Sequence, residues 1–197
     1  MKIFYWSPFL SNIATVDAVA KSIKSILDYD KQKQFKPSII DVAGEWELKR
    51  HKVDNVNIIK LYNKKYFKNL PKGGYVKSRI SQILIFFLNF LKLKKLLKKE
   101  KPEFFIAHLI ISLPLLVFTL FNFKSKLIIR ISGTPKLNFI RKLIWSICSK
   151  SIYKVTCPTI ATYNKLINLR VFPKEKIVIL YDPIISVRDI IKKKKNL

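Results

Sequence analysis

Short apolar runs alternate with amphipathic segments along most of this chain. Residues 2–7 and 38–42 have the length and composition of buried β-strands, and a proline or a glycine follows each run. Apolar residues at helical spacing predict a helix over residues 15–29, with Thr15 or Ser11 as its cap. The same criteria predict further strands at 56–61, 103–110, 126–131, 152–156 and 177–180, and further helices at 78–100, 112–121, 137–149 and 161–169.

This alternation of strands and helices predicts an α/β fold. Because the strand segments are apolar on both faces, we expect a mostly parallel sheet covered by helices, in a three-layer Rossmann-like domain. The domain is predicted to span residues 1–185, and the lysine-rich residues 186–197 form a basic tail. A chain of 197 residues is long enough to bury a core of this kind.

An uncharged stretch over residues 104–123 allows a second interpretation, because roughly twenty uncharged residues can cross a bilayer as one helix. The strand–helix alternation nevertheless continues through this stretch. It also contains a proline and several polar residues, namely His108, Ser112, Pro114, Thr119 and Asn122. We therefore prefer a strand followed by a helix, with a membrane-spanning helix as the alternative.

The chain is strongly basic, with 39 Lys and Arg residues against 12 Asp and Glu residues and a formal net charge of +27. An AT-biased coding sequence explains such a composition without any function. A basic surface also attracts polyanions, either nucleic acid or the anionic face of a membrane. Nearly all the cations are lysines beside aliphatic residues, so nucleic acid is the weaker of these two partners.

The predicted helix over residues 78–100 is the strongest indication of an interaction surface. Its first half is apolar on nearly all sides, and its second half alternates leucines with lysines. Tyr66, Phe67 and Tyr75 precede it and suit an interfacial position. Two interpretations stay open: a core helix with a solvated lysine end, or an element that lies on an anionic membrane surface.

Motifs of self-sufficient enzymes are absent from the sequence. It contains no GxGxxG, GxxxxGK[ST] or GxSxG motif, which disfavours a complete dehydrogenase, kinase or hydrolase. Cys148 and Cys157 do not form a CxxC pair, and His51 and His108 lie far apart. Since there is no carboxylate cluster either, we expect no metal site.

Polar residues that follow the predicted strands are the candidates for a ligand site, because ligands of parallel sheets bind at the carboxyl ends of the strands. Ser11, Asn12 and Thr15 follow the first strand, and helix capping is the alternative role for each of them. Gly73 and Gly74 mark a point of flexibility or of close approach.

Two candidates lie within the predicted strands themselves. His108 lies late in an apolar strand, where a histidine is either satisfied in the core or serves as a ligand or base. Arg130 lies late in the next strand, and a buried arginine is costly unless it is paired or faces a cleft. The remaining candidates follow later strands and are Ser132, Gly133, Thr159, for which capping is the alternative, and Asp182, for which a turn is the alternative.

Five segments together resemble the N-terminal domain of GT-B glycosyltransferases of the retaining family 4 type. Residues 2–8, KIFYWSP, resemble the opening strand and acceptor loop, and residues 101–108, KPEFFIAH, resemble a strand that ends in histidine. The other segments are 126–133 (KLIIRISG), 155–159 (VTCPT) and 174–183 (KEKIVILYDP). The opening loop lacks the adjacent glycines common in that family, and Ser132 stands where many members have histidine.

The resemblance implies one half of a two-domain enzyme. This domain would bind the acceptor and no cofactor, and residues 186–197 would begin a linker to a C-terminal domain that binds the nucleotide-sugar donor. Without that domain the chain would be inactive. The roles implied are catalytic for His108, Arg130 and Ser132, acceptor binding for Ser11, Asn12, Thr15, Gly73, Gly74 and Arg79, and lining of the interdomain cleft for Gly133, Thr159 and Asp182.

We therefore expect the acceptor-binding half of a retaining, hexosyltransferase-like enzyme. Its acceptor would be a lipid-linked or cell-surface glycan precursor, and it would act as a peripheral protein on the inner, cytoplasmic face of the membrane. The alternative is a non-catalytic basic membrane-associated or scaffold protein with a transferase-like fold. The pattern predicts no particular oligomeric state.

Overall fold

The computed structural model describes residues 1–11, 13–133, 135 and 137–182, so the predicted tail and its boundary at residue 185 lie outside the described residues. The strands are β1 (Lys2–Trp6), β2 (Lys36–Asp41), β3 (Asn57–Lys60), β4 (Phe104–Ala107), β5 (Lys126–Arg130), β6 (Ile152–Cys157) and β7 (Ile177–Ile179). The helices are α1 (Ala14–Tyr29), α2 (Tyr75–Glu100), α3 (Ser112–Phe121), α4 (Phe139–Cys148) and α5 (Ile160–Leu169).

The described residues form one seven-stranded sheet in which every pairing is parallel. Its strand order is β3-β2-β1-β4-β5-β6-β7, so the order reverses between β1 and β4. The predicted α/β fold with a parallel sheet is thus confirmed. Because all these strands run in one direction, their carboxyl ends meet at one edge of the sheet, which we call the carboxyl rim.

Helices cover both faces of the sheet. The side chains of β1 alternate between the faces: Ile3 and Tyr5 join a core with α1, whereas Phe4 and Trp6 join a larger core on the opposite face. That larger core receives buried side chains from α2, α3, α4 and α5. The three predicted layers are therefore confirmed.

Each predicted strand and helix has a counterpart in the structure, and most ends shift by only one or two residues. One shift of three residues is at β4, which stops at Ala107 because the chain then turns, with Ile110 at φ 47°. The uncharged stretch 104–123 therefore forms a strand, a turn and the separate helix α3. Within the described ranges, the helices all lack the combined length and hydropathy of a membrane span.

Helix α2 begins at Tyr75, three residues before its predicted start, directly after Gly74 with φ 73°. Its buried residues recur every four positions, at Ser81, Ile85, Asn89, Leu93 and Leu97. Because this buried stripe is narrow, many other apolar side chains of α2 are exposed, including Ile83, Phe87 and Leu91.

Candidate functional site

Ser7 and His108 lie side by side at the centre of the carboxyl rim. Ser7 directly follows β1 and His108 directly follows β4, and the His108 backbone N–H donates a hydrogen bond to the Trp6 carbonyl at 2.9 Å. The strand order reverses between these two strands. In parallel sheets, ligands bind at such a switch point, so this is the first candidate site.

The His108 imidazole is buried without any hydrogen-bond partner among the described residues, at either ring nitrogen. It stacks on Tyr5 with ring centroids 6.0 Å apart. Burial, and secondarily the charge of Arg130, lower the pKa of His108 to about 3, so the ring is neutral at neutral pH. The hydroxyl of Ser7 is also buried and unpartnered. Among the described residues His108 thus lacks the hydrogen bonds of a satisfied core histidine, and its role as a ligand or base stays a prediction.

Arg130 is buried at the end of β5 and is fully engaged with the segment that follows β7. Its guanidinium donates to the Leu180 carbonyl and forms an ion pair with the Asp182 carboxylate, each at 2.5 Å. These contacts compensate the cost of burying the guanidinium charge, and they hold the end of β7 at the carboxyl rim. The predicted catalytic role of Arg130 stays a prediction, as does the predicted cleft role of Asp182.

Three further candidates are exposed on loops at the carboxyl rim. Ser132 and Gly133 follow β5, and Thr159 follows β6. The Thr159 hydroxyl accepts a hydrogen bond from the Thr162 N–H at 3.1 Å, which confirms its alternative role as the cap of α5. The structure leaves the predicted catalytic role of Ser132 untested.

The candidates after β1 do not cap α1. Ile13 is the capping residue and makes no side-chain cap hydrogen bond, so the prediction of a Ser11 or Thr15 cap is wrong. Ser11 is exposed, Thr15 lies in the first turn of the helix, and Asn12 lies outside the described residues. Their role in acceptor binding stays a prediction.

The loop after β1 is held close to the connection between β3 and α2. The ring of Phe9 contacts Trp46 edge-on at 5.2 Å and Phe67 at 5.9 Å, measured between ring centroids. Phe67 lies in the connection that also carries Gly73 and Gly74. The structure thus brings these two loops together, although they are far apart in sequence.

Gly73 and Gly74 both have positive φ angles, 82° and 73°. A side chain at either position would meet no described atom within 4 Å, so the expected close approach is not what requires glycine there. The positive φ angles of the backbone require glycine at these two positions. Arg79 lies one turn further on, with its guanidinium 4.9 Å from the Tyr75 ring centroid, and it donates a hydrogen bond to the side-chain oxygen Oε1 of Gln82 at 3.2 Å.

A groove of about 980 Å³ lies between the first half of α2 and helix α4. The turn between β4 and α3 contributes Ile110, Ile111 and Ser112 to its lining. The other lining residues come from α2 and from α4 with the two residues before it, and they are Tyr75, Arg79, Gln82, Ile83, Phe86, Phe87, Leu137, Asn138, Arg141 and Trp145. Sequence reasoning found Arg79 but missed the groove, because the two helices are distant in sequence.

Two buried carboxyl groups in the turn after β2 were also missed by sequence reasoning. Asp41 accepts hydrogen bonds from the Tyr62 hydroxyl and from the backbone N–H groups of Gly44, Trp46 and Glu47. Glu45 accepts backbone hydrogen bonds from Val42 and Ala43. Burial and the Asp41 charge raise the pKa of Glu45 well above its usual value.

The described residues contain no group of three or more His, Cys, Asp or Glu side chains that could hold a metal ion. The paired carboxyls of Asp41 and Glu45 are occupied by the hydrogen bonds of their own turn.

No protein-family model matches the sequence, and no curated protein matches it. Solved structures resemble the fold. UDP-GlcNAc 2-epimerase from Neisseria meningitidis, bound to UDP-GlcNAc, gives a TM-score of 0.62 at 14% identity, covering 100% of this chain and 50% of its own. MurG from Acinetobacter baumannii gives 0.58 at 11% identity, over 95% and 47%. A glycosyltransferase from Rickettsia africae ESF-5 gives 0.57 at 16% identity, over 99% and 48%.

This chain spans about half the length of the solved proteins it resembles. They include glycosyltransferases and epimerases, and the share covered corresponds to one half of each. The fold of this chain is therefore that of one half of these proteins, a GT-B-like domain, as the resemblance in its sequence implies. Membership of family 4 stays a prediction.

Proposed function

We propose that this chain is the acceptor-binding, N-terminal half of a retaining, family 4-like glycosyltransferase that uses a nucleotide sugar. The observation that carries the proposal is the pair of buried, unpartnered polar groups at the switch point, the Ser7 hydroxyl and the His108 imidazole. Such groups fit a ligand that supplies many hydroxyl groups, as a sugar does. The fold is shared by glycosyltransferases and by epimerases that act on nucleotide sugars, and the sequence resemblance to glycosyltransferases favours sugar transfer.

In the proposed reaction, a hexosyl group passes from a nucleoside diphosphate to an acceptor hydroxyl. A C-terminal domain holds the donor, where cations and helix N-termini stabilise the leaving diphosphate. The neutral His108 exchanges a hydrogen bond with a sugar hydroxyl, and Arg130 with Asp182 positions the segment after β7. In this proposal Ser11, Asn12 and Thr15 line the acceptor side, and Ser132, Gly133 and Thr159 line the cleft.

The acceptor in this proposal is a lipid-linked or cell-surface glycan precursor, reached by peripheral attachment to the inner face of the cytoplasmic membrane. Exposed apolar side chains on α2 and α4 support the attachment, since large apolar patches mark membrane or protein contacts. Lysines at the end of α2 add attraction to anionic lipids, and α2 ends with Lys98 and Lys99 in its last turn.

The test is a transfer assay with the complete gene product. The protein is incubated with radiolabelled nucleotide sugars and a lipid extract of the source cells, and label is counted in the organic phase. We expect one donor to label the lipid, with the anomeric configuration of the donor retained in the product by NMR. His108→Ala should lower the rate about tenfold, the value of one lost hydrogen bond.

His51→Ala is the matched control, because it removes an exposed histidine from the 3-10 helix Glu47–Lys52. Transfer at the wild-type rate by His108→Ala would contradict the role given to His108. If UDP-GlcNAc is consumed without any acceptor, the protein is instead an epimerase. If no donor is consumed but vesicles are bound, the alternative of a non-catalytic membrane-associated protein holds.

A further inference from the structure

We propose that the groove between α2 and α4 binds one lipid phosphate molecule, with its phosphate on Arg79 and Arg141 and its hydrocarbon chain along the aromatic wall. This inference rests on the proposed function and names its acceptor class, a glycan precursor carried on a lipid phosphate or diphosphate. It is a narrower claim than adsorption to a membrane, because it requires one binding site for one molecule.

The size and lining of the groove fit such a molecule. Its volume of about 980 Å³ matches the larger pockets that bind organic ligands. Ile83, Phe86 and Phe87 line it from α2, and Leu137 and Trp145 line it on the side of α4. Phe87 is 73% exposed, an arrangement that is unfavourable in water and that a bound hydrocarbon chain would relieve.

The charges of the groove select an anion. Among the described residues that line it, the charged ones are Arg79 and Arg141, and no carboxylate is present. Both guanidinium groups lie over aromatic rings, Arg79 over Tyr75 at 4.9 Å and Arg141 over Trp145 at 5.8 Å, measured to the ring centroids. Within the described part of the chain neither forms an ion pair, and Arg79 uses one Nη1 donor on the Gln82 side chain, so its remaining N–H donors and those of Arg141 can bond to phosphate oxygens.

The combination of an apolar wall with two cations distinguishes a lipid phosphate from other occupants. A second copy of this chain carries a net charge of +27 and would be repelled. A free phosphate would leave the aromatic wall exposed, and an uncharged hydrocarbon would leave both arginines without a counter-ion.

The groove also reaches the carboxyl rim, where the candidate site lies. Ile110 lines the groove two residues after His108, and its carbonyl accepts a hydrogen bond from the Trp6 indole at 3.3 Å. Trp6 is the last residue of β1, next to Ser7. A phosphate held near this turn would therefore present its attached sugar towards the rim.

The experiment is calorimetric titration of the full chain with dodecyl phosphate, at concentrations below those at which it forms micelles. We expect saturable binding of one molecule per chain, with inorganic phosphate binding at least about tenfold more weakly because it buries no hydrocarbon. Phe87→Ala and Arg141→Gln should each weaken dodecyl phosphate binding about tenfold, through lost apolar contact and a lost charged hydrogen bond.

Two variants outside the groove are matched controls. Phe139→Ala removes a phenylalanine that is 81% exposed at the start of α4, and Arg50→Gln removes an exposed arginine from the 3-10 helix Glu47–Lys52. Neither should change dodecyl phosphate binding by more than about twofold. Circular dichroism of each variant confirms that the fold is retained, which the exposure of both phenylalanines favours.

Three outcomes of the titration would overturn the inference. Equal loss of binding in Phe87→Ala and Phe139→Ala would indicate unspecific adsorption, and inorganic phosphate binding as tight as dodecyl phosphate would indicate a simple anion site. A dimer that Phe87→Ala dissociates would make a second copy the occupant. Sedimentation with anionic phosphatidylglycerol vesicles separates the groove proposal from the membrane attachment. Vesicle binding without dodecyl phosphate binding would contradict the groove site and leave the membrane attachment. Dodecyl phosphate binding without vesicle binding would contradict the membrane attachment alone.

Discussion

The His108 imidazole and the Ser7 hydroxyl make the carboxyl rim locally unfavourable in the free protein. A buried polar group without a partner costs about 1–3 kcal/mol, and neither ring nitrogen nor the hydroxyl has a partner among the described residues. The imidazole stays neutral at neutral pH, because it is buried and faces the charge of Arg130, so protonation does not remove the cost of the missing partners. A ligand that completes these hydrogen bonds would recover the lost energy on binding.

Replacing His108 by leucine should make the fold less sensitive to acid. The pKa of His108 is lowered to about 3 in the folded chain, against 6.5 for an ordinary histidine. Between these values the unfolded chain binds more protons, so the stability contributed by neutral His108 is lost as the pH falls. The loss between pH 7.5 and pH 5, measured by urea unfolding, should be smaller by about 2 kcal/mol in His108→Leu than in the wild type.

His51→Leu is the control for that measurement, since it also removes one histidine but from the protein surface. The two variants should differ in acid sensitivity. If their curves coincide, burial at the rim does not govern the protonation of His108, and the neutral ring assigned to the candidate site is wrong.

Glu45 should change the pH dependence of stability in the direction opposite to His108. Burial and the Asp41 carboxylate raise the pKa of Glu45 well above its ordinary value of 4.5. Above that ordinary value the folded chain keeps a proton that the unfolded chain has released, so this group lowers stability as the pH rises. Glu45→Gln keeps the shape of the side chain but does not titrate. Its stability should therefore decline less than that of the wild type between pH 5 and pH 8 in urea unfolding.

The exposed Glu103 provides the comparison for Glu45, and Glu103→Gln should decline with pH as the wild type does. An unchanged decline in Glu45→Gln would show that Glu45 is ionised in the folded chain throughout this range.

Sequence reasoning at this scale identifies positions but not partners. His108 and Arg130 are predicted near the carboxyl ends of strands and lie at the rim, because the positions of the strands along the chain follow from the apolar pattern. The ion pair between Arg130 and Asp182 joins residues 52 positions apart, and no local pattern indicates it. The burial of Glu45 is similarly invisible, since it depends on how the turn after β2 packs.

The strands and helices follow closely from the apolar pattern, because strands buried on both faces are continuous apolar runs and the helices repeat at 3.6 residues. The ends of the strands and helices are predicted less well where the backbone conformation, rather than a side chain, sets them. Helix α2 begins directly after Gly74 rather than at a polar cap, and β4 ends three residues before Ile110 turns the chain. The start of α1 at Ile13 has no side-chain cap that a pattern could show.

Gly74→Ala should destabilise the protein at the start of α2. Gly74 has φ 73° and ψ 163°, a region almost restricted to glycine, and a side chain there costs about 1–3 kcal/mol. An added Cβ would meet no described atom within 4 Å, so this cost comes from the backbone alone. Urea unfolding at neutral pH measures it.

Gly133→Ala is the matched substitution for Gly74→Ala, because Gly133 has equally open surroundings without a positive φ. It should be neutral or slightly stabilising, since alanine restricts the unfolded chain more than glycine does. Equal stability of the two variants would mean that the conformation of Gly74 is not required for α2 to begin.

The whole molecule carries a concentration of exposed apolar side chains on the face formed by α2 and α4. Helix α4 buries only Trp145 and Cys148 of its ten residues and exposes Phe139, Ile140, Leu143, Ile144 and Ile147. The sequence allows α2 to be either a core helix or a membrane-surface element, and the alignment of α4 beside it depends on the order β1-β4-β5 in the sheet. The combined face is therefore a property of the fold rather than of any one segment.

Leu143→Asp should weaken binding to vesicles that contain anionic lipid about tenfold, because it removes one leucine from the apolar contact and places a charge there. Leu143 is 53% exposed on α4, and Leu48 is 49% exposed on the 3-10 helix Glu47–Lys52. That helix is flanked by Trp46 and Val53, which pack into the core on the opposite face of the sheet. Leu48→Asp makes the same change in net charge but lies away from the α2 and α4 face, so it should weaken vesicle binding only slightly. Raised salt should reduce this slight effect of Leu48→Asp, because salt screens the attraction between the protein and the lipid. Sedimentation at low and high salt measures both variants. Equal weakening by the two would show that net charge alone attracts the protein and that the α2 and α4 face does not enter the lipid boundary.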